Sequence, residues 1–331
     1  MSTEKKPLLG ESLPVVSATP VGGYGGNVAA PPAAYDMSRN VEARVAEVED
    51  FLGPPVPGLM IRERMYTWQV LCGVCEKQSQ FKVANWNHTI PEDPEDQHFT
   101  AQPVAFQVRE RSECLQRYCC HQMRELELGM FPVGGVMHSQ GEPSGWPEGL
   151  RPSLVMRKPF KCPVVCCCFM PWPFEMTVER PPVPTGVIKG DGRGDYFGKV
   201  VCDFKWWNGL WPCTTYMNVM DEHDRVQYVL KKHDGCGGDC VNCCAPSCFK
   251  RTHRTYILDS PQNDGNFNRI VGEMQNVWPG WNVRGMCQGN SAADNFVILF
   301  PEGSDYRQKS LLMGGLFLHN YIFWERRANQ K

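Results

Sequence analysis

From Ile61 to Phe300 the hydrophobic positions recur in twos. Short runs of β-branched and aromatic residues alternate with polar ones and stop at turn formers, which is the pattern of strands with one buried face. The runs IRERMYTWQV, QFKVANWN, VAFQVRER, ELELGMF, SLVMRK, FEMTVER, FGKVVCDFKWW, TTYMNVM, VQYVLKK, RTYILDS, NRIVGEMQNV and NFVILF predict about twelve strands with no helical run between them. An open antiparallel sheet of that size exposes its edges, so the pattern points to a single closed barrel or a sandwich. No internal repeat of fixed period is visible.

The period changes at the end of the chain. Residues Asp305 to Arg327, DYRQKSLLMGGLFLHNYIFWERR, read as one helix, and Leu311 to Trp324 is apolar on nearly every side, interrupted only by His319 and Asn320. A helix needs ~20 apolar residues to cross a bilayer, and this run is 14 long. A helix apolar all round must still be buried, and a barrel of about twelve strands has a lumen wide enough to hold one. A plug inside the barrel is therefore expected in preference to a transmembrane anchor.

Residues 1–58 differ in kind. They are rich in Pro, Gly, Ala and Val, and read as an extended arm preceding a barrel domain over 59–327. Within the arm, Val41, Val45, Val48 and Leu52 follow Ser38 at helical spacing, which leaves two readings open: a docking helix or a frayed one. Glu4 with Leu8 and Leu9 also fits an acidic dileucine sorting signal.

Composition narrows the function. With 42% hydrophobic and 21% charged residues the chain can bury a core. A net charge of -2 speaks against nucleic acid as a partner, so any basic patch is local. The N-terminus carries no signal or transit pattern, which places the protein toward the cytosol. In that reducing setting the 17 cysteines are expected to bind metal or carry modifications instead of bridging. No nucleophile elbow, phosphate-cradling loop or zinc-protease helix appears, so covalent catalysis has little support.

Two cysteine clusters stand out. In DGCGGDCVNCCAPSCFKRTH, Cys236, Cys240, Cys243, Cys244 and Cys248 lie in a glycine-rich stretch with His233 and His253 nearby. Their close spacing suits tetrahedral zinc, with acylation as the alternative. The stretch KCPVVCCCFMPWPFEM puts Cys162, Cys166, Cys167 and Cys168 just ahead of Phe169, Met170, Trp172 and Phe174. Cys72 and Cys75 form a lone CxxC, and Cys119–Cys120 a lone pair; both are expected to be structural.

Five stretches, QFKVANWN, SECLQRYCC, RKPFKCPVVCCC, ADNFVILFP and LLMGGLFLHNYIFWE, resemble in order and spacing those of the phospholipid scramblase family, over about Met65 to Trp324. The resemblance implies a mainly β, tubby-like closed antiparallel barrel of about twelve strands around a buried C-terminal helix. It implies S-palmitoylation of Cys162, Cys166, Cys167 and Cys168. One acyl chain gives only marginal attachment, so adjacent thiols make it stable, with Phe169, Met170, Trp172 and Phe174 in the membrane interface and Lys158 and Lys161 near headgroups. It also implies calcium at Ala292 to Gly303, where the oxygen side chains in or beside the loop are Asp294, Asn295, Glu302 and Asp305. The opening acid, central glycine and closing carboxylate of an EF-hand loop are missing there. The function implied is bidirectional, ATP-independent movement of phospholipids between leaflets, at the cytosolic face of a membrane. The alternative is a palmitoylated, lipid-binding adaptor whose proline-rich arm recruits proteins.

Overall fold

Each of the twelve predicted runs contains or overlaps a strand: β1 (Gly58–Glu63), β2 (Gln80–Asn85), β3 (Val104–Arg111), β4 (Leu126–Pro132), β5 (Leu154–Lys158), β6 (Glu175–Arg180), β7 (Asp195–Asp203), β8 (Tyr216–Asp221), β9 (Val226–Lys232), β10 (Arg254–Asp259), β11 (Ile270–Val277) and β12 (Asn295–Leu299). The structure is a computed structural model. It describes residues 48–53, 56–64, 78–87, 103–119, 124–132, 145–147, 151–160, 173–181, 194–203, 216–232, 254–260, 269–277 and 295–324, all within the unit Ala34–Lys331. Among the described residues, besides the helical stretch 48–51, there are α1 (Cys114–Cys119), between β3 and β4 where no helix was expected, and α2 (Tyr306–His319), which continues as a π-turn over Asn320–Trp324.

Every strand pairs antiparallel with its sequence neighbour, and β1 pairs with β12 (Met60 opposite Val297), so the sheet closes on itself without a free edge. The two-residue alternation then sorts the side chains. Leu59 and Ile61, Phe81 and Val83, Phe106 and Val108, Met176 and Val178, Phe296 and Ile298 and their counterparts on every other strand form one buried cluster with Leu311, Leu312, Met313, Leu316, Phe317 and Leu318 of α2. The terminal helix is therefore the core of the barrel, as its uniform apolarity required. Burial is worth roughly 1.5–3 kcal/mol for each large side chain. Summed over these α2 residues it reaches on the order of 10–20 kcal/mol, as much as the whole net stability of a domain.

Close packing is set by two glycines. A Cβ on Gly314 would sit 2.7 Å from Val178 Cγ2, and one on Gly315 2.7 Å from Leu230 Cδ1. Asp305 starts the helix with a capping box, accepting from the Gln308 N–H at 2.7 Å while the Gln308 side chain accepts from the Asp305 N–H at 3.0 Å.

Because α2 follows β12, it enters the barrel where β12 ends, and the antiparallel order fixes everything else. Odd-numbered strands start at this entry end and finish at the exit end. Near the entry end β3, β7, β9 and β11 each carry one extra residue, at Ala105, Phe197, Gln227 and Val271. Bulges of this kind bend strands at barrel rims. The one in β7 depends on Gly198, whose φ of +142° and 2.1 Å approach of a Cβ to the Met220 carbonyl oxygen admit no side chain.

The entry end is closed by residues 48–53, from the end of the predicted arm. Residues 48–51 are helical, and Val48 and Leu52 are fully buried in the barrel core. The described end of this stretch, Val48 and Leu52, thus docks into the barrel core, whereas Ser38, Val41 and Val45 lie outside the described residues.

Candidate functional site

Among the described residues, α2 and the inward strand side chains fill the lumen as one buried cluster. Function has to be sought at the ends and on the outer wall.

At the entry end Lys309, 1% exposed, reaches down from α2 and donates from Nζ to the Gly53 and Val56 carbonyls at 2.6 and 2.9 Å. Burial holds its pKa below the usual lysine value, with Asp305 opposing the shift. Around it Arg180 pairs with Glu49 and with Asp195 (2.8 Å), and Arg307 with Asp195 and Glu222 (both 3.0 Å). These pairs tie the closing segment to β6, β7 and α2.

At the exit end the core turns polar. Glu110 of β3 is fully buried and accepts from the Ser79 N–H at 3.0 Å, the Ser112 hydroxyl at 2.5 Å and the Tyr321 hydroxyl at 3.2 Å, with Arg124 Nε 3.4 Å away. Burial pushes this carboxyl up, but Arg124, Ser112, Ser79 and Arg117 together outweigh it and hold the group below the usual carboxylate range. His319 meets the Thr255 hydroxyl through Nε2 at 3.1 Å. The polar interruption of the terminal helix is thus accommodated where α2 leaves the apolar lumen.

The expected lipid contacts divide here. Cys162, Cys166, Cys167, Cys168, Lys161, Phe169, Met170 and Trp172 lie outside the described residues. Phe174 and Lys158 are described, and both are corrections. Phe174 is 4% exposed and belongs to the core cluster, because it continues inward the alternation of Met176 and Val178. Lys158 is 1% exposed, donates from Nζ to the Arg124 carbonyl at 2.8 Å and lies 5.3 Å from the Phe174 ring centre. Neither faces lipid.

The described calcium candidates do not converge. Asp294 is outside the described residues, whereas Asn295 opens β12, fully buried, and Glu302 and Asp305 follow its other end, exposed. A strand rises ~3.3 Å per residue, so Asn295 and Glu302 are held apart instead of wrapped round one ion, and the Asp305 carboxylate is engaged as the helix cap. Among the described residues, Asn295, Glu302 and Asp305 do not converge on one ion. The zinc candidates Cys236, Cys240, Cys243, Cys244 and Cys248, with His233 and His253, lie outside the described residues, as do Cys72, Cys75 and Cys120. Among the described residues no three His, Cys, Asp or Glu side chains converge.

Topology adds what spacing did not show. The connections that leave and rejoin the barrel at the exit end carry Cys72 and Cys75 (β1 to β2), Cys114, Cys119 and Cys120 (β3 to β4), Cys162 to Cys168 (β5 to β6), Cys213 (β7 to β8), Cys236 to Cys248 (β9 to β10) and Cys287 (β11 to β12). The remaining one, Cys202, is buried at the exit-end finish of β7. Every cysteine-bearing connection therefore leaves and rejoins the strands at this end, and the connections at the entry end carry no cysteine in their sequence. Trp206, Trp207, Trp211, Trp278 and Trp281 share these exit-end connections. No helix among the described residues is long and apolar enough to cross a membrane.

No family model matches the chain, and no solved structure matches it. Curated proteins do. The chain is 24% identical over 278 residues to phospholipid scramblase 1 of Mus musculus, covering 82% of this chain and 62% of that protein. It is 26% identical over 235 residues to phospholipid scramblase 1 of Rattus norvegicus (70% and 52%), and 24% identical over 227 residues to phospholipid scramblase 2 of Homo sapiens (68% and 58%). The matches thus span between about half and three-fifths of these relatives' own length. Taken with the closed twelve-stranded barrel around its terminal helix, these similarities support a divergent member of the phospholipid scramblase family.

Proposed function

We propose that this protein works at the cytosolic face of a membrane, held there by its cysteine-bearing end, and promotes movement of phospholipids between leaflets without ATP. The observation that carries this reading is the one-ended distribution of the cysteines. Palmitate on Cys162, Cys166, Cys167 and Cys168 would insert beside connections whose tryptophans suit the interface. Among the described residues the lumen is filled by apolar side chains, so lipid movement in this reading takes place along the protein's surface and in the bilayer it perturbs.

That same filled lumen favours a second reading: a palmitoylated, lipid-binding adaptor whose arm, residues 1–58, recruits proteins while the barrel stays at the membrane. Liposomes containing the purified acylated protein and a leaflet-specific labelled lipid separate the two. Label mixing in the absence of ATP supports the first; stable binding with no mixing supports the second. Intact mass before and after hydroxylamine tests the anchor, because thioester-linked acyl groups are lost on treatment and an unchanged mass removes it. Zinc at the second cluster is a separate proposal, expected as one metal per chain that disappears in Cys240→Ser/Cys243→Ser.

A further inference from the structure

Two large apolar side chains stand exposed among the described residues, Phe160 at 48% and Ile270 at 55%. Topology sets them far apart. Ile270 opens β11 at the entry end, whereas Phe160 follows β5 at the exit end, six strands away in a ring of twelve.

Phe160 does not ride on a long loop. Strand β5 ends at Lys158, which pairs with Leu126 of β4 and whose buried ammonium donates to the Arg124 carbonyl at 2.8 Å. Pro159 then fixes its own φ, and Phe160 comes next. The segment at Arg124 is tied in turn to α1, where the Gln116 side chain accepts from the Glu125 N–H at 3.0 Å. The end of β5, the start of β4 and α1 therefore form one braced corner of the exit end, and the fold leaves the Phe160 ring outside it. Burying that ring would be favourable. The neighbouring connection exposes Glu113 and Glu125, both acidic, so this corner offers a bilayer apolar contact instead of attraction to anionic headgroups.

Chain length decides how the corner sits. Cys162 is four residues past Lys158 and Cys168 six before Phe174, and both Lys158 and Phe174 are buried. At ~3.6 Å per residue these two tethers span at most about 14 and 22 Å. Acyl groups on the two ends of the cluster would hold the exit-end corner of β5 and β6 close against the bilayer.

We infer that Phe160 inserts into the bilayer interface, and that the barrel lies on the membrane by the exit-end corner of β4, β5 and β6 with the start of β11 turned away. A ring in the interface adds buried apolar area to that of the acyl chains. The inference rests on the anchored reading above and adds to it the side of the barrel that meets lipid.

The test places p-benzoylphenylalanine in place of Phe160 or of Ile270 in the full-length chain isolated with its acyl groups, bound to phosphatidylcholine vesicles and irradiated. Phosphatidylcholine adducts are expected from position 160 and not from position 270. Phe160→Ala is expected to speed transfer of the protein to acceptor vesicles roughly fivefold, Phe160→Leu to restore most of the retention, and Ile270→Ala to change nothing. Matched melting curves show that the variants fold. Bound protein with no adduct at position 160 overturns the inference while leaving the membrane anchor intact. Equal adduct yields at the two positions overturn the orientation. A chain that carries no acyl group, or that stays in solution, overturns the anchored reading and the inference with it.

Discussion

Glu110 is the residue on which the exit end turns. Removing one partner of a buried ion pair strands the other, a loss of ~3–5 kcal/mol, so Glu110→Gln is expected to lower stability at neutral pH by about that much in denaturant titrations. The sign of the pH effect follows from its depressed pKa. The stabilisation is present above the unfolded carboxylate value of ~4.3 and is lost as pH falls through the lower folded value. The unaltered protein should therefore lose stability below about pH 4.3 more steeply than Glu110→Gln does, and parallel curves would remove Glu110 from this role. The inward position of Glu110 was legible in VAFQVRER, where Phe106, Val108 and Glu110 share one parity. Lys158 and Phe174 were legible in the same way, but their chemistry argued for lipid and parity won. The partners of Glu110 were not legible, since Ser79, Arg124 and Tyr321 come from three distant parts of the chain.

At the scale of elements, α2 is held by steric fit as much as by apolarity. Alanine gains ~1 kcal/mol over glycine in a helix, yet forcing a methyl into a filled core costs ~1–3 kcal/mol. Gly314→Ala is accordingly expected to destabilise, and more than Gly315→Ala, because the stiff Val178 side chain yields less than the end of Leu230. Val178→Ala should recover part of the loss in Gly314→Ala; a double-mutant cycle showing no coupling would contradict the packing. Asp305 gives a cleaner case. Asp305→Ala should cost ~1 kcal/mol through loss of the cap, and Asp305→Asn close to nothing, both read from thermal unfolding. In β7 the inward residues Phe197 and Val200 lie three apart, so the bulge at Gly198 breaks the two-residue rule. Sequence alternation alone could not supply that phase.

For the molecule as a whole, α2 supplies so much of the buried surface that the sheet should not stand without it. A chain ending at Ser304 is expected to lack cooperative unfolding and a native far-UV spectrum, and a folded barrel in that truncation would refute the central role of the helix. The entry end is expected to be weaker than the lumen but still part of it: Leu52→Asp, which places a carboxylate in the buried core cluster, should lower the unfolding midpoint without changing the strand content of the folded state.

The sequence by itself determined the strands, the single hydrophobic helix and its need for cover, because periodicity and length are local properties that no later contact can rewrite. The tertiary structure alone decided which end of the barrel each connection leaves from, and with it that every cysteine-bearing connection leaves from the same end. The physical reason is closure. Until β1 pairs with β12, strand parity fixes inside and outside for each strand separately, and only the closed antiparallel ring gives the whole chain one lumen, one outer wall and two distinct ends.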